Sequence, residues 1–244
     1  MNRSLFRWIA LAAVAVAGAG LAYVFLAGGS GEPSTDLTTP TIASEATLGS
    51  EDDPASTASS GSVGAVVFVI DASQSEASFQ IDEVLRGSPN TVVGTTSEVA
   101  GQIRFDPADL STLEFSQVVI NARTFDTGSR LRDRAIRGPI ILNSAQDEFE
   151  LIILTSASAN GLDGQANPGD ALSFTVTGDL TIQSTTKSVT FDVVAELVDT
   201  QTIRGTAEAI VSRAEFGIGI PNVPIVADVG DDVLIRLDFV AISG

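Results

Sequence analysis

Along VTFDVVAEL (189–197), FTVTGDLTI (174–182) and VLIRLDF (233–239) apolar and polar residues alternate one by one. No other feature restricts the fold so strongly. In an extended chain successive side chains point to opposite faces, so Val189, Phe191, Val193, Ala195 and Leu197 share one side while Thr190, Asp192, Val194 and Glu196 share the other. One dry face and one wet face is the signature of an antiparallel sheet. Further strands are predicted over 66–71, 76–83, 99–105, 116–123, 149–157 and 203–213, separated by the turn clusters GSPN (87–90), FDPADLS (105–111) and NGLDGQANPGD (160–170). About eight strands without a long amphipathic helix predict an all-β antiparallel barrel or a sandwich. The one interruption is 128–142, where Leu131, Ala135 and Ile136 recur at helical spacing and predict a short inserted helix.

The alternation begins only after residue 65. Residues 8–27 (WIALAAVAVAGAGLAYVFLA) are twenty uncharged, mostly apolar residues, enough for a helix across a hydrocarbon core of ~30 Å. Arg3 and Arg7 precede this run and no further cation follows until Arg86, which orients the N-terminus inside and the rest outside. Residues 1–27 are therefore expected to be a membrane anchor or a signal peptide. The anchor is favoured by its length and by Trp8 and Tyr23 near its ends, and a secreted or periplasmic product after cleavage is the alternative. Residues 28–64 hold six acidic residues, no basic and no aromatic one, among Ser, Thr, Gly, Ala and Pro. Such a stretch cannot bury enough apolar surface to fold, and it is expected to be a flexible acidic tether with a reach of ~30–36 Å.

Over residues 65–244 acidic residues outnumber basic ones 25 to 11, which excludes a phosphate-neutralising nucleic-acid surface. The chain has no His and no Cys. Imidazole acid–base chemistry, thiol nucleophiles, soft-metal sites and disulfides are thereby removed. Carboxylate pairs remain, but Asp179, Asp192, Glu196 and Asp238 fall on wet strand faces where solvation explains them. The loops DGQANPGD (163–170) and DVGDD (228–232) lack calcium-loop spacing, and FGIGIP (216–221) runs into Pro where a phosphate cradle needs a helix start. No catalytic residue, metal or cofactor is expected. Ten Phe with no Tyr and no Trp in the domain offer apolar area without a polar handle, so any guest is greasy; a filled interior satisfies the same pattern.

Five segments together resemble the YceI-like family of exported, lipocalin-like proteins: FVIDASQSEASFQIDE (68–83), GTTSEVAGQIRFDPADL (94–110), TFDTGSRLRDRAIRG (124–138), VTGDLTIQSTTKSVTFDV (176–193), and SRAEFGIGIP (212–221) followed by VGDDVLIRLDFVA (229–241). The resemblance spans nearly all of 66–241 and implies a lipocalin-like barrel of about eight strands that binds a polyisoprenoid or related long-chain lipid. The chain departs from the family pattern at Ala135, Ile140-Ile141-Leu142 and Phe149-Glu150.

Inward candidates for the lining of such a barrel are Phe79, Phe105, Ile120, Phe174, Val176, Phe191, Val193, Leu237 and Phe239. Arg130, Arg132, Arg134 and Arg137 crowd the predicted helix, and two readings stay open for them. They pair with local carboxylates and solvent, or they ring the mouth and attract an anionic headgroup while the tail enters the barrel. The expectation is a membrane-tethered, extracytoplasmic, non-catalytic domain that binds and carries a long apolar lipid. The alternatives are an adhesion or scaffold domain with a filled core, and a carboxylate hydrolase.

Overall fold

Alternation of the predicted kind builds one antiparallel sheet in the computed structural model, which describes residues 37–42 and 64–244. Its strands are β1 (Val66–Ile70), β2 (Glu76–Leu85), β3 (Ser88–Thr96), β4 (Val99–Ala100), β5 (Gln102–Asp106), β6 (Asp109–Phe115), β7 (Val118–Asn121), β8 (Leu151–Asn160), β9 (Ala171–Ile182), β10 (Thr185–Leu197), β11 (Thr202–Ser212), β12 (Val226–Ala227) and β13 (Asp232–Ser243). The anchor or signal expected over 1–27 and most of the expected tether lie outside the described residues. Among those described, no helix is long and apolar enough to cross a membrane. Residues 37–42 fall within the expected tether, and there the Ile42 N–H donates to Gln102 Oε1 at 3.1 Å.

The sheet curls until its pairings return to their start. Order runs β7-β8-β9-β10-β11-β13, after which β13 pairs β2 through Leu234–Asp238 and β1 through Ala241–Ser243. β5 pairs β1, and β4, separated from β5 only by Gly101, pairs β7. Short breaks at Asp71–Ser75, Ser97-Glu98, Gly101 and Ser116-Gln117 divide what are otherwise long, bent strands. Followed through these breaks, the wall has about eight long strands around an interior, a barrel-like arrangement.

Two stretches pair where the sequence suggested turns. β3 carries Pro89 and Gly94, which depress strand propensity, yet it pairs β2 along its whole length, Leu85↔Ser88 to Ala77↔Thr96. The two-residue loop joining them places Arg86 (φ 52°) and Gly87 (φ 81°) in the left-handed region, the backbone that a tight hairpin requires. β6 begins inside the predicted turn FDPADLS, which narrows to Pro107-Ala108. Conversely the strand predicted over 116–123 is regular only over β7.

One helix interrupts the sheet, α1 (Arg130–Arg137), between β7 and β8. Asp133 in its first turn is buried and accepts from the Thr127 N–H at 2.9 Å and the Thr127 hydroxyl at 2.6 Å, which fixes the chain's entry into the helix. The crossing segment is pinned by a buried arginine: Arg123 donates to Glu150 Oε2 (3.0 Å), Asp147 Oδ1 (2.6 Å), and the Ser144 and Ala145 carbonyls, while Asn121 Nδ2 donates to Glu150 Oε1 at 2.9 Å. A buried charge is tolerated only when so fully partnered.

Apolar side chains collect in two clusters along the interior. The first includes Phe68, Ile103, Phe105, Leu110, Leu197, Ile203 and Ala241, with the Phe68 and Phe105 rings stacked at 5.2 Å. The second includes Phe125, Ile136, Leu142, Leu180, Ile182 and Phe216, with Phe79 meeting Phe125 edge-on at 5.2 Å.

Candidate functional site

Between and across the two clusters runs a cavity of about 700 Å³, within the ~300–1,000 Å³ of typical small-molecule sites. All nine inward candidates lie on its wall: Phe79 from β2, Phe105 from β5, Ile120 from β7, Phe174 and Val176 from β9, Phe191 and Val193 from β10, and Leu237 and Phe239 from β13. Their burial distinguishes a hollow from a plug. Phe105, Val176, Val193 and Phe239 are buried, but Phe79, Ile120, Phe174, Phe191 and Leu237 are only half-buried although they point inward. Inward side chains of a filled core would be closed off on all sides. On β9 the lining runs from Leu172 to Ile182, roughly 34 Å of strand at ~3.4 Å per residue, so the hollow is elongated.

Two glycines keep the rings against the wall. Phe79 pairs with Gly94, and Phe239 with Gly205. A Cβ on Gly94 would run into the Phe79 ring, and one on Gly205 would lie 2.8 Å from Phe239 Cζ and 2.6 Å from the Val194 carbonyl. With no side chain at either glycine, each ring lies over its neighbour's backbone and leaves lumen space free.

Apart from Ser78 on β2, most polar side chains on the lining gather at one end. Glu83, Arg86, Ser129, Arg132, Arg213 and Asn222 come from the β2–β3 hairpin, α1 and the chain between β11 and β13. Glu196 and Arg236 also border the cavity, but their heads are engaged on the outer face: Arg204 holds Glu196 at 2.7 Å, and Arg236 reaches Glu208 and Asp238 at 2.6 Å each. Hydrogen bonds from Arg236 hold the Asp238 carboxyl below its ordinary range, against the opposing effect of partial burial. The same pair raises the Arg236 guanidinium further above its own ordinary value.

Of the four helix arginines only Arg132 lines the cavity. Arg130, Arg134 and Arg137 recur at spacings of four and three, one stripe of the helix, whereas Ser129, Leu131, Arg132, Ala135 and Ile136 make up the cavity side. Arg132 faces the buried Glu83 at 3.6 Å, and Arg137 donates to the Arg123 carbonyl at 3.2 Å. Leu131 is 61% exposed, at the cavity's edge. Sequence reasoning missed Glu83, Arg86 and Arg213 because a lone charge beside a turn carries no periodic signal. Arg213 is a positioning residue: it donates to the Gly230 and Ile218 carbonyls at 2.8 and 3.1 Å and ties both ends of the 218–230 segment together.

Among the described residues no group of three or more acidic side chains is arranged to hold a metal ion. What the arrangement provides is apolar area. Burying a hydrocarbon contributes ~0.8 kcal/mol per methylene-sized group, so a chain of a few branched five-carbon units exceeds the ~8 kcal/mol of a micromolar complex before ordering losses.

Comparison with known proteins agrees with this architecture. The model of the YceI-like domain matches residues 68–241. A UPF0312 protein of Shewanella denitrificans is 32% identical over 128 residues, which cover 52% of this chain and 61% of that protein, so the chain spans less than two thirds of that relative. BcnA of Burkholderia cenocepacia superposes with a TM-score of 0.54 at 21% identity, over 70% of this chain and 98% of that one. A polyisoprenoid binding domain from Saccharophagus degradans, implicated in plant cell wall breakdown, superposes with a TM-score of 0.57 at 11% identity, over 73% and 99%. At these identities the two structures show a shared fold.

Proposed function

The chain belongs to the YceI-like family, and from that premise we propose that it binds, and does not transform, a long apolar lipid of isoprenoid type in the lumen of its curled sheet. The single observation that carries the reading is an elongated apolar hollow whose inward Phe and Leu side chains remain half-exposed to it. The binding named for the Saccharophagus degradans domain of the same fold supports the choice of ligand class. Phe79, Phe105, Ile120, Phe174, Val176, Phe191, Val193, Leu237 and Phe239 are the proposed contacts to the tail. A sequence with neither His nor Cys supports binding over imidazole or thiol chemistry.

Carriage of that lipid on the outer side of a membrane is the further part of the proposal. It rests on the apolar run 8–27 and the acidic stretch that follows it. Purifying the full chain, extracting it with organic solvent and analysing the extract by mass spectrometry tests the binding. Stoichiometric polyprenyl lipid is expected, and an extract without lipid from protein purified in the presence of membranes overturns it.

A further inference from the structure

The residues that both line the cavity and are exposed are Arg86, Leu131, Ile220, Asn222 and Ile225. They come from three separate pieces of chain: the β2–β3 turn, the first turn of α1, and the connection between β11 and β13. All three meet at one end of the interior, where the Arg86 N–H donates to the Ile225 carbonyl at 2.8 Å and the Gly219 N–H to the Ile140 carbonyl at 3.0 Å. This set is the mouth.

Its composition is unlike the rest of the surface. Leu131 is 61% exposed, Ile225 48%, and Ile220 and Ile140 36% each, which groups four large aliphatic side chains where isolated ones are the norm. Cations stand among them. Arg86 is exposed with no ion pair among the described residues, and Arg132 is half-buried over Glu83. Arg130, off the cavity side but between the lining residues Ser129 and Leu131, is exposed and without an ion pair among the described residues as well. Glu83, the acidic side chain of this end's lining, is 8% exposed and sits behind the arginine. In a chain of net charge −18, the exposed residues that line this end include a cation, Arg86, and no carboxylate.

We propose that this rim docks on the surface of an anionic bilayer, with Leu131, Ile220 and Ile225 entering the headgroup boundary and Arg86, Arg130 and Arg132 meeting lipid phosphates. The inference rests on the lipid-binding reading above and adds where the lipid enters. Two physical arguments select a membrane over another occupant. Exposed aliphatics beside arginines suit a bilayer interface, where apolar burial and attraction to anionic headgroups act together. A tail that passes directly from bilayer to lumen also never exposes its methylenes to water, which a detached protein could not avoid. The net negative charge of the chain opposes approach to the same membrane through surfaces that lack arginines, so charge favours this orientation.

The absence of Cys makes the test direct. Leu131→Cys, Ile225→Cys and, as a control on the outer wall, Val194→Cys are introduced singly into the full chain and labelled with an environment-sensitive fluorophore. Each is reconstituted with phosphatidylcholine vesicles, with and without phosphatidylglycerol. Docking is expected to blue-shift and brighten the labels at 131 and 225, to leave 194 unchanged, to require phosphatidylglycerol, and to be lost when Arg86, Arg130 and Arg132 are all replaced by Gln. Unshifted labels at 131 and 225, an equal shift at 194, or a shift indifferent to phosphatidylglycerol overturns the proposal. So does a shift that appears without vesicles as protein concentration rises, which would mark a second copy as the occupant. Lipid content measured on the same samples separates the two readings: retained lipid with unshifted labels rejects docking alone, and shifted labels without lipid uphold docking and reject the lumen as a lipid site.

Discussion

The two ends of the interior are built from the same strands and differ in what their loops do. At one end the chain after β5 and the chain after β8 lock together: the Leu110 N–H donates to the Gly164 carbonyl and the Ala166 N–H to the Pro107 carbonyl, both at 2.8 Å, and the Gly169 N–H donates to the Leu197 carbonyl at 2.7 Å. Beneath them Phe68, Phe105, Leu110, Leu197 and Ala241 are buried, and no lining residue there is exposed. At the other end α1 and the 218–226 chain stand side by side, and the lining runs out to solvent. A curled sheet is thus stoppered or left open by a few loop hydrogen bonds, with the wall unchanged.

The largest expected effect separates a packed ring from one beside empty space. Phe105→Ala should destabilise by ~3–5 kcal/mol, because the stacked Phe68 ring loses its partner and most of the Phe105 ring is packed against buried neighbours. Phe191→Ala, whose ring already borders the hollow, should cost only ~2 kcal/mol, since little new void is created. Denaturant midpoints at constant slope read both values, and equal costs would mean that the two positions are equally packed.

A smaller effect narrows the open end from within. Gly94→Ala should turn the Phe79 ring away from the wall and into the lumen, at a stability cost of ~1–3 kcal/mol for overpacking. Lipid recovered by extraction should fall with it, and unchanged recovery would show that the ring has another place to go.

The smallest effect lies on the outer wall, away from both ends. Arg236 holds the Asp238 carboxyl below its ordinary range, so this pair adds stability at pH values above the ordinary carboxylate pKa of ~3.9 and loses it as pH falls through the lowered value. With both side chains more than one third exposed, solvent screening limits the contribution to ~0–1 kcal/mol. Asp238→Asn should therefore lower the midpoint slightly at neutral pH and leave it unchanged in strong acid. Lipid retention should not move.

How much of this was legible in the sequence depends on whether the signal was periodic. The five Phe and four aliphatic positions expected on the wall are there because each belongs to an alternating run. α1 was visible in Leu131, Ala135 and Ile136, although the exposure of Leu131 was not, since helical spacing identifies a face and cannot say what it meets. β3 was missed because Pro89 and Gly94 argue against a strand locally, and pairing with β2 overrides them. Glu83, Arg86 and the aliphatics of 218–226 follow no period at all.

Alternation is a property of neighbouring residues, so the chain by itself determined that one side of its strands would be dry, that the dry side would carry Phe, Val, Ile and Leu, and that neither imidazole nor thiol chemistry could occur. Whether those side chains meet in the middle depends on how far apart the wall holds them, and on rings such as Phe79 and Phe239 lying flat over glycines of adjacent strands. Which end stays open depends on hydrogen bonds between segments well separated in sequence, such as Leu110 with Gly164 and Ala166 with Pro107. Distances of that kind are set by the closing of the sheet, and only the tertiary structure decided them.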